Sequence, residues 1–238
     1  MIFLSERKTK PELRKGLFIS FEGGEGSGKS THASQLLKTI QEAGHIATLV
    51  HEPGSTSLGW SIRDLAKSRE GISPTAELAL FAAARAELVE KIIRPELQKQ
   101  SIVIADRYLD STVAYQGYGR GLDLGSIEVL NSIVTQGIKP KRTFLLDLSP
   151  EEGLKRVGKP QLSLPLDGQN KENLGRADKE GQRRFEDEPI VFHRKVRQGY
   201  LEVAKRDPER FIVLDANRPL KELAEAIWGN VQSLLMDS

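Results

Sequence analysis

The stretch that decides the fold is Leu17–Ser30, LFISFEGGEGSGKS, in which an apolar run leads into four glycines, a lysine and a serine. Its last eight residues fit the pattern Gly-x-x-x-x-Gly-Lys-Ser, with glycine at positions 23 and 28. Such glycines let successive backbone N–H groups turn toward one anion, and a helix that begins at Lys29 adds the positive end of its dipole. The stretch therefore predicts a strand, a phosphate-binding loop and a helix, in that order.

The same loop carries side chains suited to a nucleoside triphosphate. Lys29 is placed to reach the outer phosphates as a point charge, and the Ser30 hydroxyl can ligate Mg²⁺. Glu25 is the exception, because a carboxylate repels phosphate. It is either solvent-facing or in contact with a metal ion or a sugar hydroxyl. We predict a P-loop whose nucleotide contacts come from Gly23, Gly24, Glu25, Gly26, Ser27, Gly28, Lys29, Ser30 and Thr31.

Apolar runs and helical patterns alternate along the rest of the chain. The apolar runs are Leu17–Glu22, Ile46–His51, Ile102–Asp106, Thr143–Leu148 and Phe211–Asp215. The helical patterns lie at Lys29–Ala43, Thr75–Gln100, Ser126–Gly137, Pro189–Arg206 and Leu220–Leu235. This alternation predicts an α/β fold with a five-stranded parallel sheet flanked by helices. We expect one domain over residues 16–238, after a short tail at residues 1–15.

Composition excludes several other classes of protein. The 238 residues carry a net charge of +2 without a run of like charges, which does not indicate a nucleic-acid-binding protein. Cysteine is absent, which excludes disulfides and thiolate metal sites and fits a reducing compartment. No apolar stretch approaches the roughly 18 residues of a membrane span. We expect a soluble, cytoplasmic protein that binds neither nucleic acid nor membranes.

The chain also contains a second group of residues that nucleotide hydrolysis alone would not require. Phe81 and Arg85 share one helical face, either as a core ring and a surface cation or as a base-stacking ring and a donor to the base. Asp106 and Arg107 end an apolar run, where parallel sheets bind ligands. Asp106 is either a buried ion-pair partner or a ligand-binding group, and Arg107 can bind a second phosphate. Polar and aromatic residues follow, namely Ser111, Thr112, Tyr115, Gln116, Tyr118 and Arg120.

Several motifs follow one another in a fixed order from Gly16 to the C-terminus. They are the P-loop, Glu52-Pro53-Gly54, Phe81-x-x-x-Arg85, Asp106-Arg107-Tyr108, Ala114–Gly117 with Gly119–Gly121, LDLSPEEGLKR and FEDEPIVFHRKVRQGYLEVA. Single motifs occur in other nucleotide kinases, but the ordered set resembles the thymidylate kinases of bacteria. The resemblance implies a P-loop nucleoside monophosphate kinase fold with a lid, a homodimer, and Mg²⁺-dependent transfer of the γ-phosphoryl group of ATP to dTMP.

By that resemblance, most of the second group binds dTMP. Phe81 stacks on thymine, Arg85 donates to its O4 and Thr112 meets its N3 edge. Tyr115 crowds the 2′ position, so that a deoxyribose fits better than a ribose, and Arg107 holds the acceptor phosphate. The remaining acceptor contacts implied are Glu52, Pro53, Ser111, Gln116 and Arg120.

The resemblance also implies roles in the transfer itself. Ser30 and Asp106 hold Mg²⁺, and Glu25 faces the acceptor near its 3′-hydroxyl or a metal-bound water. His51 stands where the family usually has an arginine before the Glu-Pro-Gly turn. The implied catalytic set is Lys29, Glu25, Asp106, Arg107, Arg184 and Arg176.

Residues 157–188 break the alternation and are rich in glycine, proline, asparagine and charge. A long loop of this kind is either a solvated surface or a mobile lid. Because the P-loop itself lacks arginine, a cation for the transition state has to come from elsewhere, which favours the lid. The family usually has Asp-Arg before Phe-Glu or Ile-Glu here, whereas this chain has Arg183-Arg184-Phe185-Glu186. We favour Arg184, then Arg176, over Lys179 and Arg183.

Two other functions remain open from the sequence. One is a kinase for another nucleotide or nucleoside. The other is a P-loop ATPase or switch module that controls a partner. That module predicts ATP turnover without an acceptor and gives no reason for Phe81, Arg85 and Arg107 to converge.

Overall fold

The computed structural model describes residues 16–67, 71–157 and 185–236. Its sheet contains β1 (Leu17–Glu22), β2 (Ala47–His51), β3 (Ile102–Asp106), β4 (Arg142–Asp147) and β5 (Phe211–Asp215). The strands lie in the order β2-β3-β1-β4-β5, and every neighbouring pair is parallel. The expected five-stranded parallel sheet is confirmed. β2 begins one residue later than its apolar run, and β4 lies one residue earlier.

Strand β1 forms the centre of the sheet. Its alternate residues face opposite sides, so that Leu17, Ile19 and Phe21 pack in one core cluster and Phe18 in another. All six of its residues are buried, because β3 and β4 cover both edges and helices pack on both faces. The pairing of Phe21 with Asp106 brings the carboxyl ends of β1 and β3 side by side.

Helices cover both faces of the sheet. They are α1 (Lys29–Glu42), α2 (Ser57–Lys67), α3 (Pro74–Leu88), α4 (Arg94–Gln98), α5 (Leu109–Thr112), α6 (Leu124–Thr135), α7 (Pro150–Val157), α8 (Ile190–Arg206) and α9 (Leu220–Met236). Helices α1 and α9 share one core cluster through Leu36 and Ile227. The other face is covered by α3 and α8, through Leu88 and Val196.

The helical pattern at Thr75–Gln100 is interrupted. Helix α3 ends at Leu88, a π-helical turn occupies Val89–Ile93, and α4 follows. Pro95 lacks an N–H and its ring crowds the carbonyl of the preceding turn, which accounts for the wider turn. A second π-helical turn, Val113–Gly119, follows α5. The spacing of apolar residues did not predict helices α2, α5 and α7, because they are only 4 to 11 residues long.

Parts of the expected organisation lie outside the described residues. These are the tail at residues 1–15 and, apart from Val157 and residues 185–188, the lid. In the three described ranges, none of the helices has both the length and the apolar content of a bilayer crossing.

Candidate active site

The P-loop connects β1 to α1 with a strained backbone. Gly23 and Gly26 have φ values of 142° and 67°, in a region that other residues rarely adopt. A Cβ on Gly26 would lie 2.2 Å from the carbonyl oxygen of Gly153 in α7. Both positions therefore require glycine. The expected strand, loop and helix are present in the expected order.

Lys29 is folded back onto the loop. Its Nζ donates to the Gly24 carbonyl at 2.6 Å and to Ser27 Oγ at 3.3 Å. Burial and the charge of Arg107 lower the pKa of Lys29 to about 8. A phosphate group in the loop would take the place of these weak acceptors, so the lysine is held ready for an anion.

Ser30 and Asp106 meet where β1 and β3 end. Ser30 Oγ donates to Asp106 Oδ2 at 2.5 Å, and His51 Nδ1 lies 3.4 Å from the same oxygen. Burial alone would raise the pKa of Asp106. Contacts with His51 and Ser30, together with the charge of Lys29, outweigh burial and hold that pKa below its usual range. The carboxylate is therefore ionised at neutral pH.

This hydroxyl–carboxylate pair fits a magnesium ion. Both groups are hard oxygen ligands, and Mg²⁺ usually takes one or two protein ligands together with phosphate oxygens and water. Consistent with so sparse a site, the described ranges contain no cluster of three or more His, Cys, Asp or Glu side chains arranged to hold a metal. Thr31 follows Ser30 in the first turn of α1 and is exposed.

Glu25 faces Arg107. Both carboxylate oxygens lie 3.1 Å from Arg107 Nη2, and Tyr115 donates its hydroxyl to Glu25 Oε1 at 2.5 Å. Burial would raise the pKa of Glu25, but the charges of Arg107 and Lys29 lower it overall. The carboxylate that looked out of place among phosphate-binding residues is thus balanced by the arginine expected to hold the acceptor phosphate.

Glu22 is a functional candidate that the sequence analysis missed. Its side chain is fully buried and accepts hydrogen bonds from the Tyr108 N–H at 2.8 Å, Ser111 Oγ at 2.6 Å and the Tyr200 hydroxyl at 3.1 Å. Burial and the charge of Asp110 raise the pKa of Glu22 to about 8. A glutamate that ends an apolar run just before a P-loop was the available signal.

Ser111 and Tyr200 also lie behind Arg107. The Tyr200 hydroxyl accepts from Arg107 Nη1 at 3.0 Å and lies 2.8 Å from Ser111 Oγ. The same nitrogen donates to the Gly23 carbonyl at 3.0 Å. These hydrogen bonds fix Arg107 between the P-loop and α8. Ser111 was expected to contact the acceptor, and the structure places it behind Arg107.

Arg85 is buried in α3. Only 1 % of its surface is exposed. Its Nη2 donates to the Glu52 carboxylate and, at 2.7 Å, to Thr112 Oγ1. Burial raises the pKa of Glu52, and the charge of Arg85 opposes the rise. The surface-cation interpretation of Arg85 is therefore wrong, since the side chain forms a buried ion pair.

Gln116 and Arg120 both donate hydrogen bonds to the carboxylate of Glu77. The sequence analysis did not single out Glu77. Gln116 Nε2 donates to Glu77 Oε1 at 2.8 Å, and Arg120 bonds both oxygens of the same carboxylate at 3.1 Å. Arg120 Nη1 also donates to Glu188 Oε1 at 2.6 Å. These contacts join α3 and the turn after α5 to the segment that precedes α8.

Phe185 packs against two aromatic rings of the expected acceptor site. Its ring centroid lies 6.1 Å from that of Phe81 and 5.7 Å from that of Tyr115. The expected base-stacking ring and the ring expected to crowd the 2′ position therefore belong to one aromatic cluster. Pro53 lies in the turn after β2, and its carbonyl accepts from Arg63 at 3.2 Å.

Arg156 is a further candidate residue for binding the donor nucleotide. Its Nη1 donates to the Ala216 carbonyl at 3.0 Å, and its Nη2 lies 3.3 Å from Asn217 Oδ1. Gly153, one helical turn earlier, packs against the P-loop. A guanidinium here can stack on a nucleotide base. The sequence analysis missed it because its partner, the segment after β5, is 60 residues away.

Comparison with known proteins agrees with this geometry. The thymidylate kinase family model matches residues 21–164 and 157–227 of the chain. The chain belongs to the thymidylate kinase family. Among curated relatives, the thymidylate kinase of Deinococcus radiodurans is 41 % identical over 220 residues, covering 92 % of this chain and 98 % of the relative. That of Dehalococcoides mccartyi is 43 % identical over 221 residues, covering 92 % and 97 %.

A solved thymidylate kinase structure shares the fold. The crystal structure of thymidylate kinase from Ehrlichia chaffeensis superposes with a TM-score of 0.68 at 31 % identity and covers 91 % of this chain and 98 % of that one. The family and fold implied by the ordered motifs are confirmed. The candidate lid cations Arg176, Lys179, Arg183 and Arg184 lie outside the described residues.

Proposed function

We propose that the chain transfers the γ-phosphoryl group of ATP to dTMP, giving dTDP and ADP. The observation that carries the proposal is a pair of sites at adjacent strand ends. The P-loop follows β1, and Arg107 follows β3 with Arg85 beside it. A hydrolase or a switch needs only the first site. Membership of the thymidylate kinase family supports dTMP as the acceptor.

On the donor side, the P-loop amides and Lys29 bind the ATP phosphates. Lys29 leaves the Gly24 carbonyl when an anion enters, which restores its full charge. Ser30 and Asp106 are the residues that would hold Mg²⁺, which would supply positive charge against the phosphates of ATP. Their short contact and the ionised state of Asp106 support this role.

On the acceptor side, Arg107 holds the dTMP phosphate and Arg85 donates to the O4 of thymine. Phe81 stacks on the base, Thr112 meets its N3 edge and Tyr115 crowds the 2′ position. The contacts of Phe185 with both Phe81 and Tyr115, and the hydrogen bond from Arg85 to Thr112, support the assignment. The other proposed acceptor residues are Glu52, Pro53, Ser111, Gln116 and Arg120.

The transfer needs positioning and charge neutralisation, because in-line displacement between two oxygens uses no covalent protein intermediate. Lys29 and a lid arginine, Arg184 or else Arg176, supply positive charge as the phosphoryl group moves. Glu25 lies on the acceptor side of the loop, where Arg107 donates a hydrogen bond to it. A lid over residues 157–188 that closes over both substrates would exclude water.

A coupled ADP-release assay across acceptors tests the function. We expect dTMP to be preferred over dUMP, dCMP, dAMP and deoxynucleosides, because Arg85 and Phe81 match a thymine ring and Arg107 requires a phosphate. Without an acceptor, we expect ADP release at a small fraction of the dTMP rate. Equal rates across acceptors, or ATP turnover independent of them, would rule out a dTMP kinase.

The proposal includes a homodimer. Exposed apolar side chains occur on α2 and α6, which both pack against α3. Val129 and Ile133 on α6 are 62 % and 66 % exposed, one turn apart on the same face. Such a stripe is typical of a surface that a second copy covers. We expect sedimentation velocity to show a dimer that Ile133→Glu dissociates and that Met236→Glu, a change at a still more exposed side chain on α9, leaves intact.

The proposal also places the enzyme in the cytoplasm without a nucleic-acid partner. The lack of cysteine suits a reducing compartment, where nucleotide pools are kept. A net charge of +2 spread along the chain offers no concentrated basic surface for a phosphate backbone.

A further inference from the structure

The guanidinium of Arg85 is held by partners from several elements. Nη2 donates to Glu52 after β2, to the Tyr108 carbonyl at 3.4 Å and to Thr112 Oγ1 at 2.7 Å. Nη1 donates to Asn131 Oδ1 in α6 at 2.6 Å. With 1 % of the residue exposed, the plane of the guanidinium is fixed by the protein before any ligand enters.

One nitrogen of the Arg85 guanidinium has no hydrogen-bond partner among the described residues. Nε is buried and finds no hydrogen-bond partner in the described part of the chain. A buried donor without a partner costs free energy, and a ligand atom that accepts from it removes that cost. The group that suits a single N–H of a cation is a carbonyl oxygen. A thymine or uracil ring offers one at O4, whereas cytosine offers an amino group there.

Asn131 decides how that nitrogen is presented. It is 7 % exposed and is the residue that bonds Nη1. Its amide cannot turn freely, because Nδ2 donates to the Leu109 carbonyl at 3.3 Å, which directs Oδ1 to the arginine. Glu52 and Thr112 both hold Nη2, so without Asn131 the guanidinium would be fixed from one end only.

We propose that Asn131 is a positioning residue that sets acceptor-base specificity through Arg85. This inference rests on the proposed function and assigns a part of it to α6, outside the motifs. Asn131 engages one N–H of Nη1, so that the guanidinium is held at both ends while Nε–H is presented to the base oxygen. Removing it leaves both N–H groups of Nη1 without this acceptor and free to swing toward the ligand. Recognition of O4 then loses its single geometry, and an acceptor without O4 is rejected less strongly.

The test compares dTMP with an analogue that carries hydrogen in place of O4. In the unaltered enzyme we expect kcat/KM to fall at least about 100-fold on loss of O4, because a site built for a hydrogen bond rejects a ligand that lacks it. In Asn131→Ala we expect that ratio to shrink about tenfold, mainly through the KM for the acceptor. The KM for ATP should not change.

Two further variants separate positioning from packing. Thr135→Ala removes another buried polar side chain from the same helix, one turn on, and should keep the full dependence on O4. Asn131→Asp keeps an acceptor oxygen for Nη1 and should lie closer to the unaltered enzyme than Asn131→Ala does. It also serves as the test variant if the alanine variant fails to fold.

The outcomes distinguish this inference from the proposed function. An active dTMP kinase in which Asn131→Ala keeps the full dependence on O4 would overturn the role of Asn131 alone. An equal loss of dependence in Thr135→Ala would also overturn it, by assigning the effect to packing of α6. If the unaltered enzyme phosphorylates no thymine nucleotide, both the proposed function and this inference are wrong.

Discussion

Lys29→Ala is expected to lower kcat for phosphoryl transfer to dTMP about a thousandfold. In the proposed function Lys29 is the P-loop cation that reaches the outer phosphates, and removal of one preorganised donor to a transition state typically costs two to three orders of magnitude. In the described part of the chain its Nζ donates hydrogen bonds to groups within the loop, so we expect the fold to tolerate its loss. The measurement is single-turnover transfer with saturating ATP and dTMP, together with thermal unfolding.

The matched control for this change is Lys38→Ala. Lys38 lies on the same helix, is exposed and is far from the loop, so its removal should leave kcat within a factor of about two. Retention of more than a tenth of the transfer rate in Lys29→Ala would contradict the assigned role. So would an equal loss in both variants.

Arg85→Ala is expected to weaken dTMP binding by about 10- to 100-fold and to leave ATP binding unchanged. A hydrogen bond from a charged donor contributes about 1.5–3 kcal/mol, which corresponds to that range. The same change leaves the Glu52 carboxylate buried without its cation, which costs about 3–5 kcal/mol of folding free energy. Calorimetric titration with each nucleotide, and denaturant unfolding, measure the two effects.

A double variant separates these effects. Arg85→Met combined with Glu52→Gln replaces the buried ion pair by neutral groups, so we expect most of the lost stability to return. The dTMP affinity should stay low, because the donor to the base is still missing. Unchanged dTMP affinity in Arg85→Ala would contradict the acceptor pocket, whatever happens to stability.

The P-loop and the sheet could be predicted because their signals are local. Gly23 to Ser30 form a contiguous loop in which Gly23, Gly26 and Gly28 adopt positive φ values that favour glycine. The buried strands are likewise recognisable in the sequence as continuous apolar runs. Strand boundaries differed by at most one residue. The long helical pattern before β3 is interrupted after Leu88, ahead of Pro95, whose effect on the preceding turn depends on how α3 packs.

The partners of the polar residues could not be predicted because they are distant in sequence. Arg85 meets Asn131, 46 residues away, and Tyr200 meets Glu22, 178 residues away. Sequence identifies a residue type that needs a partner, but only the strand order decides which one is near. For this reason Arg85 was left open between surface and pocket, and Glu22, Glu77 and Asn131 were not singled out.

The pairing of Glu25 with Arg107 gives the proposed acceptor site its own counter-anion. A phosphate that enters there would have to displace a carboxylate tethered in place, at high effective concentration. Inorganic phosphate brings charge alone and would compete poorly with such a neighbour. A nucleotide brings a base and a sugar as well, and their contacts would favour the exchange. Return of the carboxylate to the arginine would then assist product release, so that the proposed donor-binding loop would also act on the proposed acceptor site.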